Sequence, residues 1–326
     1  MRGGIFRRKI VVRGCRAQRC RARLPRSGYL GQCEWGGAMS RSLPVLVMLG
    51  IIAVIWYAAT ILLNAQWVYD QAERAGTTVT FAQMVPQTMA QERPLLPPPH
   101  QVAAELWDGI AGQAITSKRS LVYHAFKTLQ ATMLGFGMGI ALGIGLAVAI
   151  VYSRTMEKSV MPWAIISQTI PIVALAPMII VLSDKAGIDG KMIPKGIIAC
   201  YLSFFPVLVG MIKGLRSPEL MQLDLLATYN ASGFQNFLKL RLPASMPYFF
   251  ASLKVAIAAA LVGAIVGELP SGATEGLGAR MLVGSQFGRP LDMWAALFAA
   301  AIMAGMLILL VGWLEAVLRR RMGVAA

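Results

Sequence analysis

The sequence is dominated by long apolar runs that recur from about residue 43 to residue 318. A helix needs about 20 consecutive apolar residues to cross the hydrocarbon core of a bilayer, and several of the runs reach that length. Apolar residues make up 56% of the chain and charged residues only 14%, whereas soluble domains carry about 25% charged residues. We therefore predict an all-α fold, namely a polytopic helical bundle in a membrane.

Six of the runs are predicted to be transmembrane helices. They cover residues 43–66, 131–152, 160–183, 193–215, 246–268 and 292–318. An even number of spans places both ends of the chain on the same side of the membrane.

The distribution of basic residues indicates on which side of the membrane the two ends lie. Ten of the 31 Lys and Arg residues lie within residues 1–38, so the net charge of +16 does not form a patch for nucleic acid. Other basic residues flank the spans on one side of the predicted bundle, as the positive-inside rule requires of cytoplasmic segments. These are Arg154, Lys158, Lys213, Arg216, Lys239, Arg241 and Arg319–Arg321. We predict that both termini are cytoplasmic and that these residues contact anionic membrane lipid.

The sequence divides into four segments besides the individual spans, each with its own predicted location. They are a basic, disordered extension over residues 1–42, a periplasmic stretch over 67–118, a membrane core over 119–320 that contains a cytoplasmic loop over 216–243, and a tail over 321–326. Residues 1–38 are either an unstructured extension or the product of an upstream start, because Met39 directly precedes the first span. Within the periplasmic stretch, the proline-rich run 94–99 should be stiff and extended. Residues 102–110 and 119–131 are predicted to be amphipathic helices that lead back to the membrane.

The second span contains glycines at a helical repeat of four residues, at Gly135, Gly139 and Gly143. Small residues with this spacing allow a second helix to approach closely within lipid. The partner helix belongs either to the same chain or to a second copy, and the sequence leaves both alternatives open.

The third span is interrupted by Pro162, Pro171 and Pro177, with Gln168 and Thr169 between the first two prolines. Proline removes a backbone donor and kinks a helix, and the freed carbonyl groups need a partner or a water-lined cavity. Gln168, Thr169 and Pro171 are therefore candidates for the wall of a translocation path, and an ordinary structural kink is the alternative.

Few ionisable residues interrupt the spans. Glu268 is a further candidate for the translocation path, since an ionisable group inside a membrane is by default a functional candidate. However, Glu268, Lys254 and Asp184 lie near the predicted ends of their spans, where snorkelling can satisfy them. A proton-coupled pump would need a run of buried carboxylates, and none is evident here.

No cofactor or metal is predicted for this chain. The four cysteines, Cys15, Cys20, Cys33 and Cys200, do not have the paired spacing of a zinc site. The chain also lacks the G-x-x-x-x-G-K-[ST] pattern that binds nucleotide phosphates.

The loop over residues 216–243 is too long for a tight turn and is predicted to hold two short helices. Asn230-Ala231-Ser232-Gly233 should separate them, because Asn and Gly tolerate positive φ. Ser232 could cap the second helix. A structured cytoplasmic element of this kind is suited to docking in the groove of a partner protein.

This loop resembles the cytoplasmic signature of binding-protein-dependent ABC importer permeases, whose transmembrane domain is called MetI-like. The signature reads E-A-A, three residues, G, and then about a turn and a half of helix to L-P. Aligned on Leu242-Pro243, its glutamate falls on Asp224 and its glycine on Asn230, while its alanines are replaced by Leu225 and Leu226. Residues 242–248, 262–268 and 276–278 are similar to the branch that takes up nitrate, sulfonate, taurine and pyrimidine precursors.

The resemblance implies a transport subunit of the bacterial inner membrane that is not itself an enzyme. Two permease copies would pair, and each loop would insert into a separate ATPase that binds ATP and Mg²⁺. A periplasmic or lipid-anchored binding protein would deliver a small solute, such as a pyrimidine or riboflavin-type vitamin precursor or a nitrate-, sulfonate- or taurine-like solute, for alternating-access transport.

The resemblance also assigns roles within the loop. Asp224 would pair with a basic group of the ATPase, and the docking tip would consist of Tyr229, Asn230, Ala231, Ser232, Gly233 and Phe234, with Pro243 closing the signature. An ion-coupled secondary transporter is the alternative function, and a membrane scaffold without transport is a third.

Overall fold

A computed structural model describes residues 43–188, 190–270 and 274–321. Every regular element in these ranges is a helix, which confirms the all-α prediction. The helices are α1 (Leu43–Arg74), α2 (Phe81–Met89), α3 (Pro99–Trp107), α4 (Leu121–Tyr152), α5 (Arg154–Ser167), α6 (Ile172–Lys185), α7 (Met192–Leu215), α8 (Leu220–Thr228), α9 (Gly233–Asn236), α10 (Leu242–Glu268), α11 (Leu277–Gln286) and α12 (Pro290–Arg321). The predicted extension over residues 1–42 and the tail after Arg321 lie outside the described residues.

The chain divides after Leu49 into two compact units. Of the first unit, the structure describes only Leu43–Leu49, which are helical. All contacts discussed below lie within the second unit, from Gly50 onward.

Five helices in the described residues are long and apolar enough to cross a membrane, and a bent helix pair would make six. The five are Leu43–Arg74, Leu121–Tyr152, Met192–Leu215, Gly233–Glu268 and Pro290–Arg321. The chain is thus a multi-pass membrane protein, while the count of six spans and the orientation stay predictions.

The third predicted span is not one straight helix. It consists of α5 and α6, which are bent by 103° at a short break. Pro171 has extended backbone and directly precedes α6, and because it has no N–H it cannot continue the ladder of α5. Pro162 and Pro177, in contrast, lie inside their helices without ending them.

The second predicted span begins earlier than expected. The helix predicted over 119–131 is present from Leu121 and continues into the second span, because α4 runs without interruption for 32 residues. Ser120 starts this helix by accepting a hydrogen bond from the N–H of Val122, and no proline follows before Tyr152. The predicted helix over 102–110 is present as α3 and a π-helical turn that continues it to Gly112.

The proline-rich run before α3 lies against α1. Residues 91–98 are not helical, and their backbone is bound by Asn64, which is fully buried. The Asn64 amide donates to the carbonyl of Leu96 over 2.9 Å and accepts from the N–H of Leu95 over 2.9 Å. The indole of Trp56 donates to the carbonyl of Pro97. A polar side chain in the first span therefore satisfies a segment that has no secondary structure of its own.

The core is built on the packing of α4 and α10 against α7. Methyl groups at Gly135 and Gly139 would overlap Ala199 and Ser203 of α7, and one at Gly143 would lie 2.8 Å from the carbonyl oxygen of Phe204. The glycine repeat in the second span thus allows close packing of two helices of the same chain.

Candidate functional site

The loop over residues 216–243 is an exposed helix–turn–helix. None of the side chains of α8 is buried. Asn230 has a φ of 52°, and the hydroxyl of Ser232 accepts a hydrogen bond from the N–H of Gln235. The predicted turn and the predicted cap are both confirmed, and they fix the position of Phe234 beyond the turn.

The second helix of the loop is not a separate element, in contrast to the prediction. α9, a π-helical turn over Phe237–Arg241 and α10 follow one another without a break. The N–H of Leu242 donates to the carbonyl of Phe237, five residues earlier, and Pro243 follows as the second residue of α10. Pro243 has no N–H, so it donates no hydrogen bond within this continuous helical segment. The helical segment beyond the loop tip is therefore continuous with the fifth predicted span.

The predicted docking residues are exposed, apart from Ala231, which is half-buried. Asp224 lies on α8 and is exposed, and among the described residues it has no ion-pair partner. Tyr229 and Phe234 are 76% and 70% exposed. Two aromatic rings and a carboxylate without a local partner are the components of a protein-binding surface.

The base of the loop is fastened to the corner between α4 and α5. The guanidinium of Arg241 donates to the carbonyl of Leu215 over 3.3 Å and lies 5.9 Å from the centre of the Tyr152 ring. On the other side, Arg216 and Glu157 form an ion pair with a separation of 2.9 Å. The loop is thus connected both to the end of the second span and to the start of α5.

The predicted path residues lie at the bend between α5 and α6. Thr169 and Pro171 are exposed and Gln168 is half-buried. The hydroxyl of Tyr201 on α7 donates to the carbonyl of Ser167 and ties the bend to the core. The structure therefore brings these three residues together at a break in the helix, while Glu268 lies elsewhere.

Glu268 is fully buried, and the prediction that it snorkels is wrong. Its carboxylate accepts hydrogen bonds from the hydroxyl of Thr128 over 3.0 Å and from the N–H of Gly278 over 2.8 Å. The ammonium group of Lys195 lies 3.6 Å away. Burying a charge is tolerated when it is paired and hydrogen-bonded. Whether Glu268 also belongs to the translocation path stays a prediction.

Lys254 and Asp184, which the sequence also places near the ends of spans, have different surroundings. Lys254 forms an ion pair with Glu315 of α12 over 2.6 Å. Asp184 is exposed near the end of α6, as expected. Lys195, the partner of Glu268, and Glu315, the partner of Lys254, lie on other helices. Because they are far away along the chain, the sequence alone does not identify them as partners. The sequence contained one indication of these pairs, namely a charge of opposite sign within another apolar run.

A second group of charges lies at the surface beside Glu268. Glu275 accepts a hydrogen bond from Tyr123 over 2.6 Å and pairs with Lys127 over 3.1 Å. The hydrogen bond from Tyr123, followed by the one from Lys127, lowers the pKa of Glu275. Sequence reasoning missed His124, Thr128, Lys195 and Glu275. Among the described residues, no group of three or more His, Cys, Asp and Glu side chains could hold a metal ion.

Comparison with known proteins shows the family to which the sequence is similar. Residues 139–324 match the family described as binding-protein-dependent transport system inner membrane component. The chain is 32% identical over 202 residues to a probable ABC transporter permease protein of Haemophilus influenzae, which covers 62% of this chain and 80% of the relative.

Two further relatives have more specific names. The formylaminopyrimidine transport permease protein ThiX of Halalkalibacterium halodurans is 32% identical over 64% of this chain and 78% of its own length. The riboflavin transport system permease protein RibX of Chloroflexus aurantiacus is 32% identical over 69% of this chain and 80% of its own length.

Proposed function

The chain belongs to the family of binding-protein-dependent transport system inner membrane components, and from this premise we propose that its loop 216–243 is the element that docks to a separate ATPase. The chain is the permease subunit of an ABC importer and a multi-pass protein of the bacterial inner membrane. It is a transport subunit and not an enzyme. In this family the ATPase is a separate subunit, and a substrate-binding protein is a further partner.

The exposed tip of the loop is the observation that carries the docking proposal. Asp224 is exposed and has no ion-pair partner in the part of the chain that the structure describes, and the large side chains of Tyr229 and Phe234 are exposed on either side of the turn at Asn230. We assign Asp224 to a basic group of the ATPase and residues 229–234 to its groove. ATP and Mg²⁺ would be bound by that subunit.

The contacts at the base of the loop suggest how a movement reaches the membrane. A displacement of the tip would act on α10 through the π-helical turn and on the α4–α5 corner through Arg241 and Arg216. α5 leads to the bend where Gln168, Thr169 and Pro171 lie. We assign this bend to the wall of the translocation path, which alternates between the two sides of the membrane.

The assembly we propose contains two copies of this chain, two ATPases and a binding protein on the opposite side of the membrane, with six spans and cytoplasmic termini in each copy. Basic residues beside the spans would contact anionic lipid. The names of two relatives, for formylaminopyrimidine and riboflavin, support a pyrimidine or a vitamin precursor as the substrate.

Uptake into vesicles tests this function. The complex purified from its host is reconstituted with its binding protein, and the uptake of riboflavin and formylaminopyrimidine is measured with and without ATP, with nitrate and taurine as comparisons. We expect ATP-dependent uptake of one solute, and loss of that uptake in the double variant Asp224→Ala, Asn230→Pro. Normal uptake by a well-folded double variant would refute the docking assignment. Uptake driven by an ion gradient in ATP-free vesicles would favour a secondary transporter, and no flux under either condition would favour a scaffold.

A further inference from the structure

The N-terminus of α11 is bound by side chains from other parts of the chain. The first N–H groups of a helix have no partner within the helix, and they are usually bound by the side chain of the preceding residue. Here that residue is Gly276, which has no side chain. Instead, the N–H groups of Gly276, Leu277 and Gly278 donate to His124 over 3.0 Å, to Thr128 over 2.8 Å and to Glu268 over 2.8 Å. We call these three acceptors the α11 clamp.

The protonation pattern of the clamp is consistent throughout. The Nε2 atom of His124 lies 2.9 Å from the carbonyl oxygen of Lys118, so this nitrogen carries the proton. Its Nδ1 atom therefore has a free lone pair for the N–H of Gly276. The hydroxyl of Thr128 accepts from Leu277 and can donate to Glu268. All three side chains are buried, with exposures of 3%, 0% and 0%.

The two glycines that begin α11 match the clamp sterically. Gly276 has a φ of +119°, which side-chain-bearing residues rarely adopt, and a methyl group there would overlap the carboxylate of Glu268. A methyl group at Gly278 would lie 2.9 Å from the Cβ atom of Glu268. The Gly-Leu-Gly sequence is therefore needed for three consecutive N–H groups to reach their acceptors.

The clamp joins four helices at the end of the bundle that is opposite the loop 216–243. His124 and Thr128 belong to α4 and Glu268 ends α10. Lys195, in the first turn of α7, pairs with Glu268 and also donates to the carbonyl of Glu275. The rest of α11 is tied to α12 by an ion pair between Arg280 and Asp292. α11 therefore bridges the α4–α7–α10 core and the last span.

We propose that His124, Thr128 and Glu268 position α11, and that this fixes the connection between α10 and α12 at the end of the permease that faces the binding protein. The inference rests on the proposed function, in which that end opens and closes during transport. Glu268 then supports transport through the helix it holds, without contacting the solute. Glu275, held to Lys127 and Tyr123 at the surface, extends the attachment outward.

A pair of matched variants tests the clamp. Thr128 and Thr132 lie one turn apart on α4 and are both fully buried, and each hydroxyl oxygen lies within 3.2 Å of the carbonyl oxygen four residues earlier. Only Thr128 accepts from α11. In the native complex, hydrogen–deuterium exchange is measured for the peptide that covers residues 274–280. We expect exchange about tenfold faster in Thr128→Val, the effect of losing roughly one net hydrogen bond, and no change in Thr132→Val. Unchanged exchange in Thr128→Val would overturn the clamp.

Riboflavin uptake by the reconstituted complex tests the consequence for transport. We expect Thr128→Val to lower the maximal rate several-fold and to leave KM unchanged, while Thr132→Val transports normally. An unchanged rate despite faster exchange would overturn the positioning role, and a raised KM with an unchanged maximal rate would indicate solute contact instead. If the wild-type complex takes up no solute with ATP, the proposed function fails, and the exchange comparison still decides whether the clamp exists.

Discussion

At the scale of single residues, burying the carboxylate of Glu268 costs free energy. Its ion pair with Lys195 and two hydrogen bonds offset this cost. Glu268→Gln removes the charge and leaves the Lys195 ammonium without that counter-charge. Breaking a buried pair in this way costs about 3 kcal/mol, so we expect a lower thermal unfolding midpoint in detergent. The double variant Glu268→Gln, Lys195→Met removes both charges and should recover most of the loss. If both variants unfold at the wild-type temperature, the pair has no role in stability.

The glycines of the second span give a second prediction at this scale. A methyl group at Gly135 would overlap Ala199 and lie 2.9 Å from the backbone nitrogen of Cys200, whereas Gly137 has nothing within 4 Å. We expect Gly135→Ala to destabilise the fold by about 2 kcal/mol through overpacking. Gly137→Ala should be neutral or stabilising by up to about 1 kcal/mol, because alanine favours helix. Thermal unfolding of the two variants side by side makes the comparison, and equal midpoints would contradict the packing described.

At the scale of secondary-structure elements, the tip of the loop 216–243 should bind a partner without contributing to the stability of the permease. Tyr229 and Phe234 are exposed, and so is Phe287, at 68%, beyond α11 at the opposite end of the bundle. We expect Tyr229→Ser with Phe234→Ser to leave the unfolding temperature unchanged and to reduce ATPase retention at least tenfold on an affinity column. Phe287→Ser is the control and should retain the ATPase. Equal retention by all variants would exclude the tip as the docking site.

The loop shows which elements could be predicted from the sequence. The turn at Asn230 and the cap at Ser232 are decided by residues within a few positions of each other, and both predictions are confirmed. The break in the third predicted span could not be located in this way. All three prolines have the same local signal, and only Pro171 separates two helices.

The partners of Glu268 mark a different limit. Thr128 is 140 positions away along the chain, and Lys195 is on a third helix. Glu268 was recognisable as an ionisable residue in an apolar run, but its burial depends on how α4, α7 and α10 pack. The cluster around Glu268 was therefore missed, because its members are brought together only by the packing of distant helices.

At the scale of the whole molecule, the arrangement of charges predicts the orientation in the membrane. Thr77 lies in the stretch after α1, and Thr228 lies at the end of α8, both at exposed positions. In a background without native cysteines, we expect a membrane-impermeant maleimide added to spheroplasts to label Thr77→Cys at once. Thr228→Cys should be labelled only after the membrane is permeabilised. The reverse pattern would show that the chain is inserted the other way round and would place the loop 216–243 outside the cell.

The most direct test of the central claim is gentle detergent purification of the chain from its host, with mass spectrometry of the proteins that accompany it. We predict a P-loop ATPase in about a one-to-one ratio with the chain, lost when Asp224 and Asn230 are replaced together. A chain that is purified without an ATPase and still carries out gradient-driven uptake would contradict the account.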